Sequence, residues 1–243
     1  MKNFIHILFN HVGRKSVLNR DRFIEKTLTN LKRDLRILDA GAGECKYKKY
    51  CNHLDYVSQD VCEYDGSGDA RALQTGTYNF TNIEIVSDIT NIPEPDCSFD
   101  IILCTEVFQH IISPKAAIKE FSRLLKEGGV LILTTPVSSF THFAPHYYHN
   151  GFSRYYFEMI LPKYGFNIDK LTYNGNYFEY MATEIQRIPY MAKRYSKFGF
   201  FQRLIYAPMA IIILMLLNKL SLNDTNSTEF ASAGIHVIAK KIK

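Results

Sequence analysis

Ile37-Leu38-Asp39-Ala40-Gly41-Ala42-Gly43-Glu44 decides the fold of this chain. An apolar run ends in an acid and then breaks into two glycines spaced one apart. That pattern predicts a buried strand turning sharply toward a helix with its backbone left bare. Glycine tolerates positive φ and has no Cβ to hold a ligand away. In open α/β sheets, ligands bind just past such carboxyl strand ends. The stretch therefore predicts a parallel α/β sheet with a nucleotide-like ligand at this turn.

Working outward, residues 16–32 show helical spacing, with Val17, Phe23, Ile24, Leu28 and Leu31 as the apolar stripe. Short apolar runs at 35–40, 56–59, 83–86, 99–104 and 130–134 predict five strands. The run at 99–104 is continuous, as expected for a strand covered on both faces. Residues 61–82, rich in Gly, Asp, Asn and Thr, read as a long loop. A helix is expected over 114–126, with Pro114 at its start and Gly128-Gly129 as its stop. Another helix is expected over 153–164, and further strands over 167–173 and 235–240. Strands alternating with helices or long connections imply right-handed crossovers and a mostly parallel sheet.

The bulk numbers set bounds. The chain has 243 residues, 47% hydrophobic and 22% charged, enough for one large α/β domain or a domain plus an appendage. A net charge of +5, scattered along the chain, does not argue for nucleic acid as a partner. The cysteines Cys45, Cys51, Cys62, Cys97 and Cys104 form no CxxC pair and fit reduced thiols in a cytoplasmic protein. Residues 1–9 hold a short apolar core with His6 and no small-residue cleavage site, and are not read as a signal peptide.

The glycines can be asked which ligand they serve. A dinucleotide fingerprint needs a third glycine three residues after the second, and Lys46 stands there. A lysine where that helix must touch the sheet argues against NAD. A Gly-Lys-Ser/Thr phosphate loop is absent. Asp60 follows Asp39 by 21 residues, at the end of the next strand, where an acid can accept both ribose hydroxyls. Asp88-Ile89 follows the third strand; the acid could accept from an exocyclic amine and Ile89 could lie on a base. Each residue alone has a plainer reading, as a turn, a solvated strand-end acid or a cap. Their joint order carries the ligand.

With these residues in view, the chain resembles the class I S-adenosylmethionine-dependent methyltransferases. Asp39-Ala40-Gly41-Ala42-Gly43 resembles the family's first motif, Asp60 its ribose acid and Asp88 its adenine-side acid. Phe99-Asp100-Ile101-Ile102-Leu103-Cys104 is similar to the fourth-strand motif, and Leu124-Leu125-Lys126-Glu127-Gly128-Gly129-Val130-Leu131 to the turn into the fifth strand. Two departures are Cys45, where a third glycine is frequent, and the loop 61–82, where a helix is usual. The resemblance covers about residues 35–175. It implies a Rossmann-like, mostly parallel seven-stranded sheet with helices on both faces and an antiparallel last strand; the residues themselves predict an apolar helical insertion before that strand. It also implies S-adenosylmethionine as cofactor, held by Asp39, Gly41, Gly43, Asp60, Asp88, Ile89 and Glu106.

Methyl transfer from a sulfonium is an in-line displacement, so the protein contributes alignment and exclusion of water. A hydroxyl acceptor is helped by a nearby base, and histidine is the default base near neutral pH. The family's acceptor site lies past the fourth and fifth strands, where His110, His146 and His149 are candidates. His110 could equally hydrogen-bond backbone near the cofactor. His142 and His146 could suggest a metal, but Pro145 stands between them and no acidic third ligand is evident, so no metal is expected. The aromatic and imidazole residues from His142 to Arg154 suit a sugar or aromatic acceptor. With Arg154-Tyr155 they resemble methyltransferases associated with bacterial surface-glycan biosynthesis.

The expected division is a cofactor-binding core with N-terminal helix over 1–178, an insertion over 179–230 and the last strand of the core sheet over 231–243. The insertion contains the most hydrophobic stretch, 204–217, preceded by Lys193, Arg194, Lys197 and Arg203 and followed by Lys219. It is shorter than the roughly 20 apolar residues a bilayer span takes. Burial against the core or a second subunit, as in a homodimer, is one reading. Peripheral contact with the inner membrane face through residues 203–219 is the other. The expected function is methyl transfer to an oxygen of a small or glycan-like acceptor. The alternative is a silent cofactor-binding scaffold or a membrane-associated partner-binding protein.

Overall fold

The computed structural model describes residues 12–13, 15–197 and 199–242. The stretch 1–9, read above as no export signal, lies outside these. Seven strands, β1 (Arg36–Ala40), β2 (Asp55–Asp60), β3 (Ile85–Val86), β4 (Phe99–Thr105), β5 (Leu125–Pro136), β6 (Phe166–Asn174) and β7 (Gly234–Lys241), form one sheet. Their order is β3-β2-β1-β4-β5-β7-β6. β1 runs parallel to β2 and β4, β4 parallel to β5, and β7 antiparallel to β5. This is the Rossmann-like architecture expected. Among the described residues the α-helices are α1 (Lys15–Thr29), α2 (Pro114–Leu124), α3 (Arg154–Ile160), α4 (Tyr177–Tyr195) and α5 (Phe200–Leu222).

The chain falls into two compact units, residues 22–172 with 234–243, and residues 1–21 with 173–233. In the first, successive strand residues point to opposite faces. Ile37, Ile101, Leu103 and Ile132 meet Ile24 and Leu28 of α1 in one buried cluster. Leu38 and Ile102 face the other way and are equally buried. Phe108, Phe121 of α2, Phe152 and Phe157 of α3 interlock with ring centroids 5.8–6.4 Å apart. All five cysteines are free thiols.

In the second unit, Val12, Ala182 of α4 and Leu214 of α5 are buried together, with Ile185 and Leu217 against them. Asn176 caps α4 by accepting from the Glu179 amide at 3.0 Å. Its amide nitrogen donates to the Ser221 carbonyl at 3.2 Å and to the Ser221 hydroxyl at 3.1 Å, joining the first turn of α4 to the last turn of α5.

Two local expectations fail for stated reasons. No α-helix follows the glycine turn; the connection to β2 holds only a 3-10 turn, Lys48–Tyr50. Gly41, Gly43 and Cys45 take φ of 72°, 54° and 55°, and a right-handed helix cannot pass through three such positions. Lys46 therefore sits on no helix and is exposed, so the argument it supplied against NAD does not apply. Cys45 occupies a left-handed position, as a glycine could without strain. The second failure is at α2, which ends at Leu124 rather than at Gly128-Gly129. Leu125 is already extended, with ψ of 139°. The glycines lie inside β5, where the pairing with β4 jumps from Phe99–Leu125 to Ile101–Val130.

Candidate active site

The strand order reverses at the boundary between β1 and β4, so the loops after them leave in opposite directions and open a crevice. A cavity of about 400 Å³ lies there within the first unit, in the range of small-molecule sites. Its wall includes Gly41 after β1, Asp60 at the end of β2, Asp88 and Ile89 after β3, and Glu106, Val107 and His110 after β4.

Gly41 forms the floor. Its amide donates to the Gln59 carbonyl at 2.9 Å and to the Gln59 side chain at 3.2 Å. A Cβ on Gly41 would stand 2.5 Å from Val107 Cγ2. Asp60 is held in orientation by two backbone amides: Gly43 donates to Oδ2 and Cys62 to Oδ1, each at 2.9 Å. A carboxylate oxygen keeps a further lone pair after one such bond, so Asp60 can still accept from a ligand. Asp88 accepts from the Thr90 amide at 2.7 Å and the Thr90 hydroxyl at 2.6 Å. That fixes its carboxyl beside Ile89, 6% exposed.

Glu106 has φ of 57°, a strained position for a residue with a side chain. Its amide donates to the Thr134 carbonyl at 2.8 Å and its carboxylate accepts from the Thr134 hydroxyl at 2.9 Å, so β5 holds it in place. His110 Nδ1 lies 2.6 Å from the His146 carbonyl. A carbonyl only accepts, so Nδ1 carries the proton and Nε2 holds the free lone pair. Burial pulls the ring down to about 4, against the carbonyl bond that favours the charged form. His146 also lines the cavity, and its Nδ1 lies 3.7 Å from Glu63 Oε2.

Three of the residues singled out in the sequence lie outside the lining. Gly43 spends its amide on Asp60. Asp39 shares the face of Ile37, is 1% exposed, and accepts from the Tyr56 hydroxyl at 2.6 Å. Burial pushes its carboxyl to about 7, with Tyr56 opposing and Asp60 adding to the rise. His149 turns its ring toward Phe152, centroids 5.3 Å apart.

The cavity has an aromatic roof; Phe143 comes from the loop expected on the acceptor side, and the loop 61–82 adds rings that were not foreseen. Tyr64, Tyr78, Phe80 and Phe143 line the cavity. Tyr64 stacks on Phe143 at 4.4 Å, Tyr78 meets Tyr64 edge-on at 5.4 Å, and Phe143 stacks on His110 at 5.2 Å. A Cβ on Gly43 would collide with the Tyr78 hydroxyl. Burial, with Asp60 and Glu44 adding to it, pushes that hydroxyl to about 12, so it stays a donor. The loop 61–82 is tied to the loop after β5. Leu73 bridges His142, the Phe143 amide donates to the Leu73 carbonyl at 2.9 Å, and the Asp69 amide and Gln74 side chain donate to the Ala144 carbonyl at 3.0 and 3.1 Å. Aromatic residues recurring in an otherwise polar loop were the available signal.

The wall suits a cationic nucleoside. Two oriented acids stand at successive strand ends, an apolar residue adjoins one of them, and ring faces attract a cation such as a sulfonium.

Residues 38–133 match the model of a methyltransferase domain. The chain is 27% identical over 166 residues to the ubiquinone/menaquinone biosynthesis C-methyltransferase UbiE of Campylobacter jejuni, covering 64% of this chain and 65% of that protein. A second relative, from Encephalitozoon cuniculi, is 29% identical over 143 residues, covering 54% and 61%. The chain thus spans just under two-thirds of the length of these curated relatives. Phosphoethanolamine N-methyltransferase 2 of Haemonchus contortus, solved with phosphomonomethylethanolamine and S-adenosylhomocysteine, superposes with a TM-score of 0.54 at 17% identity, covering 93% of this chain and 53% of that one. The [4+2]-cyclase SpnF superposes at 0.55 with 16% identity, covering 91% and 80%. At such identities the likeness shows the fold.

Proposed function

We propose that this chain, which carries the methyltransferase domain of the class I S-adenosylmethionine-dependent enzymes and takes S-adenosylmethionine as its cofactor, transfers the sulfonium methyl group to an oxygen of a small or glycan-like acceptor. The observation that carries this reading is the meeting of Gly41, Asp60, Asp88, Glu106 and His110 around one cavity at the strand-order reversal.

When bound, the cofactor supplies an activated methyl group together with its own leaving group. The residues of this chain do the rest. Asp60 orients the ribose hydroxyls, Asp88 and Ile89 hold the base, and Gly41 lets the backbone approach the amino-acid end, with Asp39 and Gly43 supporting that turn from beneath. Glu106, held by Thr134 in the cavity wall, would supply a carboxylate to the bound cofactor. Nε2 of His110, left with its lone pair because Nδ1 is bound to the His146 carbonyl, would take the proton of an acceptor hydroxyl. His146, beside Glu63, is the second base candidate; His149, facing Phe152, supports the loop. The aromatic roof keeps water from the reacting atoms.

The relatives' own names cover C- and N-methyl transfer, so the oxygen target rests on the bases in the cavity. The division into a core at 1–178, an insertion at 179–230 and a last strand at 231–243 belongs to the same proposal. So do a cytoplasmic location, peripheral contact with the inner membrane face through residues 203–219, and a homodimer. A second reading is a cofactor-binding scaffold without turnover. The fold by itself does not fix the chemistry, because one fold hosts unrelated reactions.

Calorimetry with S-adenosylhomocysteine tests the cofactor assignment. Hydrogen bonds to a charged acceptor contribute about 1.5–3 kcal/mol, so Asp60→Ala should weaken binding roughly ten- to a hundredfold. No binding by the wild type, or equal binding by the variant, would overturn it. Retained binding with no methyl transfer to any hydroxylated acceptor would leave the scaffold reading standing.

A further inference from the structure

Helix α5 is apolar along its length yet scarcely covered. Only 11% of the segment Leu204–Leu222 is buried within the molecule. It meets α4 along one stripe, where Ala210 and Leu214 are buried and the Tyr206 hydroxyl donates to the Ile185 carbonyl. On the opposite side Ile205, Met209, Ile212 and Leu216 are each more than half exposed, at 64%, 56%, 67% and 55%. The segment contains no acid and one charged residue, Lys219. Apolar faces of this extent are rarely left bare in water.

Charge placement says what covers it. At the closed end of the α4–α5 hairpin, Lys193, Arg194 and Lys197 are exposed among Tyr190, Tyr195 and Phe201. Arg194 donates to the Tyr190 hydroxyl at 3.0 Å and lies over the Tyr195 ring at 5.3 Å. Lys219 is exposed near the other end of α5. The nearby acids of α4 are engaged, Glu179 by Lys15 at 3.3 Å and Glu184 by Arg187 at 3.0 Å. Cations and aromatic residues thus bracket the apolar face of a helix about 34 Å long at 1.5 Å per residue. Cations and aromatic residues at both ends of an exposed apolar helix are the arrangement of a segment that meets an anionic bilayer.

Connectivity decides how the helix lies. Asn176 ties the first turn of α4 to Ser221 in the last turn of α5, so both chain ends leave the hairpin at one end. For α5 to cross a bilayer, α4 would have to cross with it, and α4 carries Glu179, Glu184, Arg187, Lys193 and Arg194. Insertion by the closed end would drag Lys193, Arg194 and Lys197 through hydrocarbon. Lying flat avoids both costs.

We propose that α5 lies in the plane of an anionic phospholipid surface, its Ile205–Met209–Ile212–Leu216 side in the acyl boundary and the flanking cations on lipid phosphates. This deepens the peripheral contact named above and is separate from the methyl-transfer reaction, because vesicle binding and turnover are independent readouts.

The chain contains no tryptophan, so Ile212→Trp introduces a sole indole on the outward side. The full chain is mixed with phosphatidylcholine vesicles containing 30% phosphatidylglycerol, with and without brominated acyl chains. The expected result is flotation with the vesicles, a blue shift, and quenching strongest for bromines near the headgroups. Replacing Lys193, Arg194 and Lys197 together by Ala should weaken partitioning roughly a hundredfold, at about 1 kcal/mol per cation. Ile212→Lys should abolish flotation while circular dichroism and sedimentation stay those of the wild type. No flotation of the wild type on anionic vesicles overturns the proposal. So does quenching strongest at the bilayer midplane. A wild-type dimer that Ile212→Lys converts to monomer also overturns it, by assigning the face to a second copy.

Discussion

Asp39→Asn should change how folding stability depends on pH. Asp39 is 1% exposed, accepts one hydrogen bond, from Tyr56, and its other oxygen is buried without a hydrogen-bond partner among the described residues. Burial raises its carboxyl from 3.8 in the unfolded chain to about 7 in the fold. The folded state therefore holds a proton that the unfolded state has released, and stability falls as pH rises through that window. Three pH units at about 1.4 kcal/mol each give roughly 4 kcal/mol lost between pH 4 and pH 7.5. Asn fills the same volume, accepts from Tyr56 and does not titrate. Guanidinium unfolding followed by circular dichroism at the two pH values measures the difference between wild type and variant. That difference should move by about 4 kcal/mol in favour of Asn as pH rises, and contributions from other titrating groups cancel in it. A difference constant to within about 1 kcal/mol would refute the reasoning, by showing Asp39 ionised in the fold at an ordinary value.

The opposite slope is expected at His110. Its folded value lies below the unfolded 6.5, at about 4, so its contribution is present above 6.5 and fades as pH falls toward 4. His110→Gln should remove up to about 3 kcal/mol of acid sensitivity in urea midpoints at pH 4.5 and 7.5. If His110 is the base, the acid limb of kcat against pH should lie well below the usual histidine range, and its absence in His110→Gln would be measured by methyl transfer. Gly41→Ala places a Cβ against Val107 at φ of 72°, so about 1–2 kcal/mol of stability and at least tenfold in S-adenosylhomocysteine affinity should be lost. Val107→Ala added to it should recover part of both. Arg123 bonds Glu120 at 2.6 Å and 2.9 Å, Asp96 at 2.7 Å and the Ile92 and Glu94 carbonyls. Arg123→Ala strands a nearly buried Glu120 and should cost about 2–3 kcal/mol in chemical denaturation, partly restored by Glu120→Gln.

What the sequence made legible follows from local chemistry. Apolar runs ending in an acid or glycine marked β1 and β2, and a continuous apolar run marked β4, because burial and turn formation leave those residue types behind. Asp60 and Asp88 were legible as wall residues because each ends or follows a strand. Asp39 has the same residue type, but Ala40 still follows it in β1, and strand alternation sends it to the buried face of Ile37. Pattern alone gives no such depth. The missing helix after Gly43 depends on the left-handed backbone of Cys45, which residue type does not announce. The aromatic roof depends on Leu73 meeting His142, a pairing between distant loops with no local signature. The Gly128-Gly129 pair looked like a helix stop because glycine serves strand turns as readily as helix ends.

The bonds joining the loop 61–82 to the loop after β5 bear on timing. Leu73, Asp69 and Gln74 on one side and His142, Phe143 and Ala144 on the other close two edges with one seam. Moving either loop alone would break these hydrogen bonds. If the methyl-transfer reading holds, a seam that opens as one piece leads us to expect an ordered sequence, nucleoside first in and last out. Product-inhibition patterns in steady-state kinetics would display that sequence, and cutting the seam with Gln74→Ala would loosen it toward random arrival.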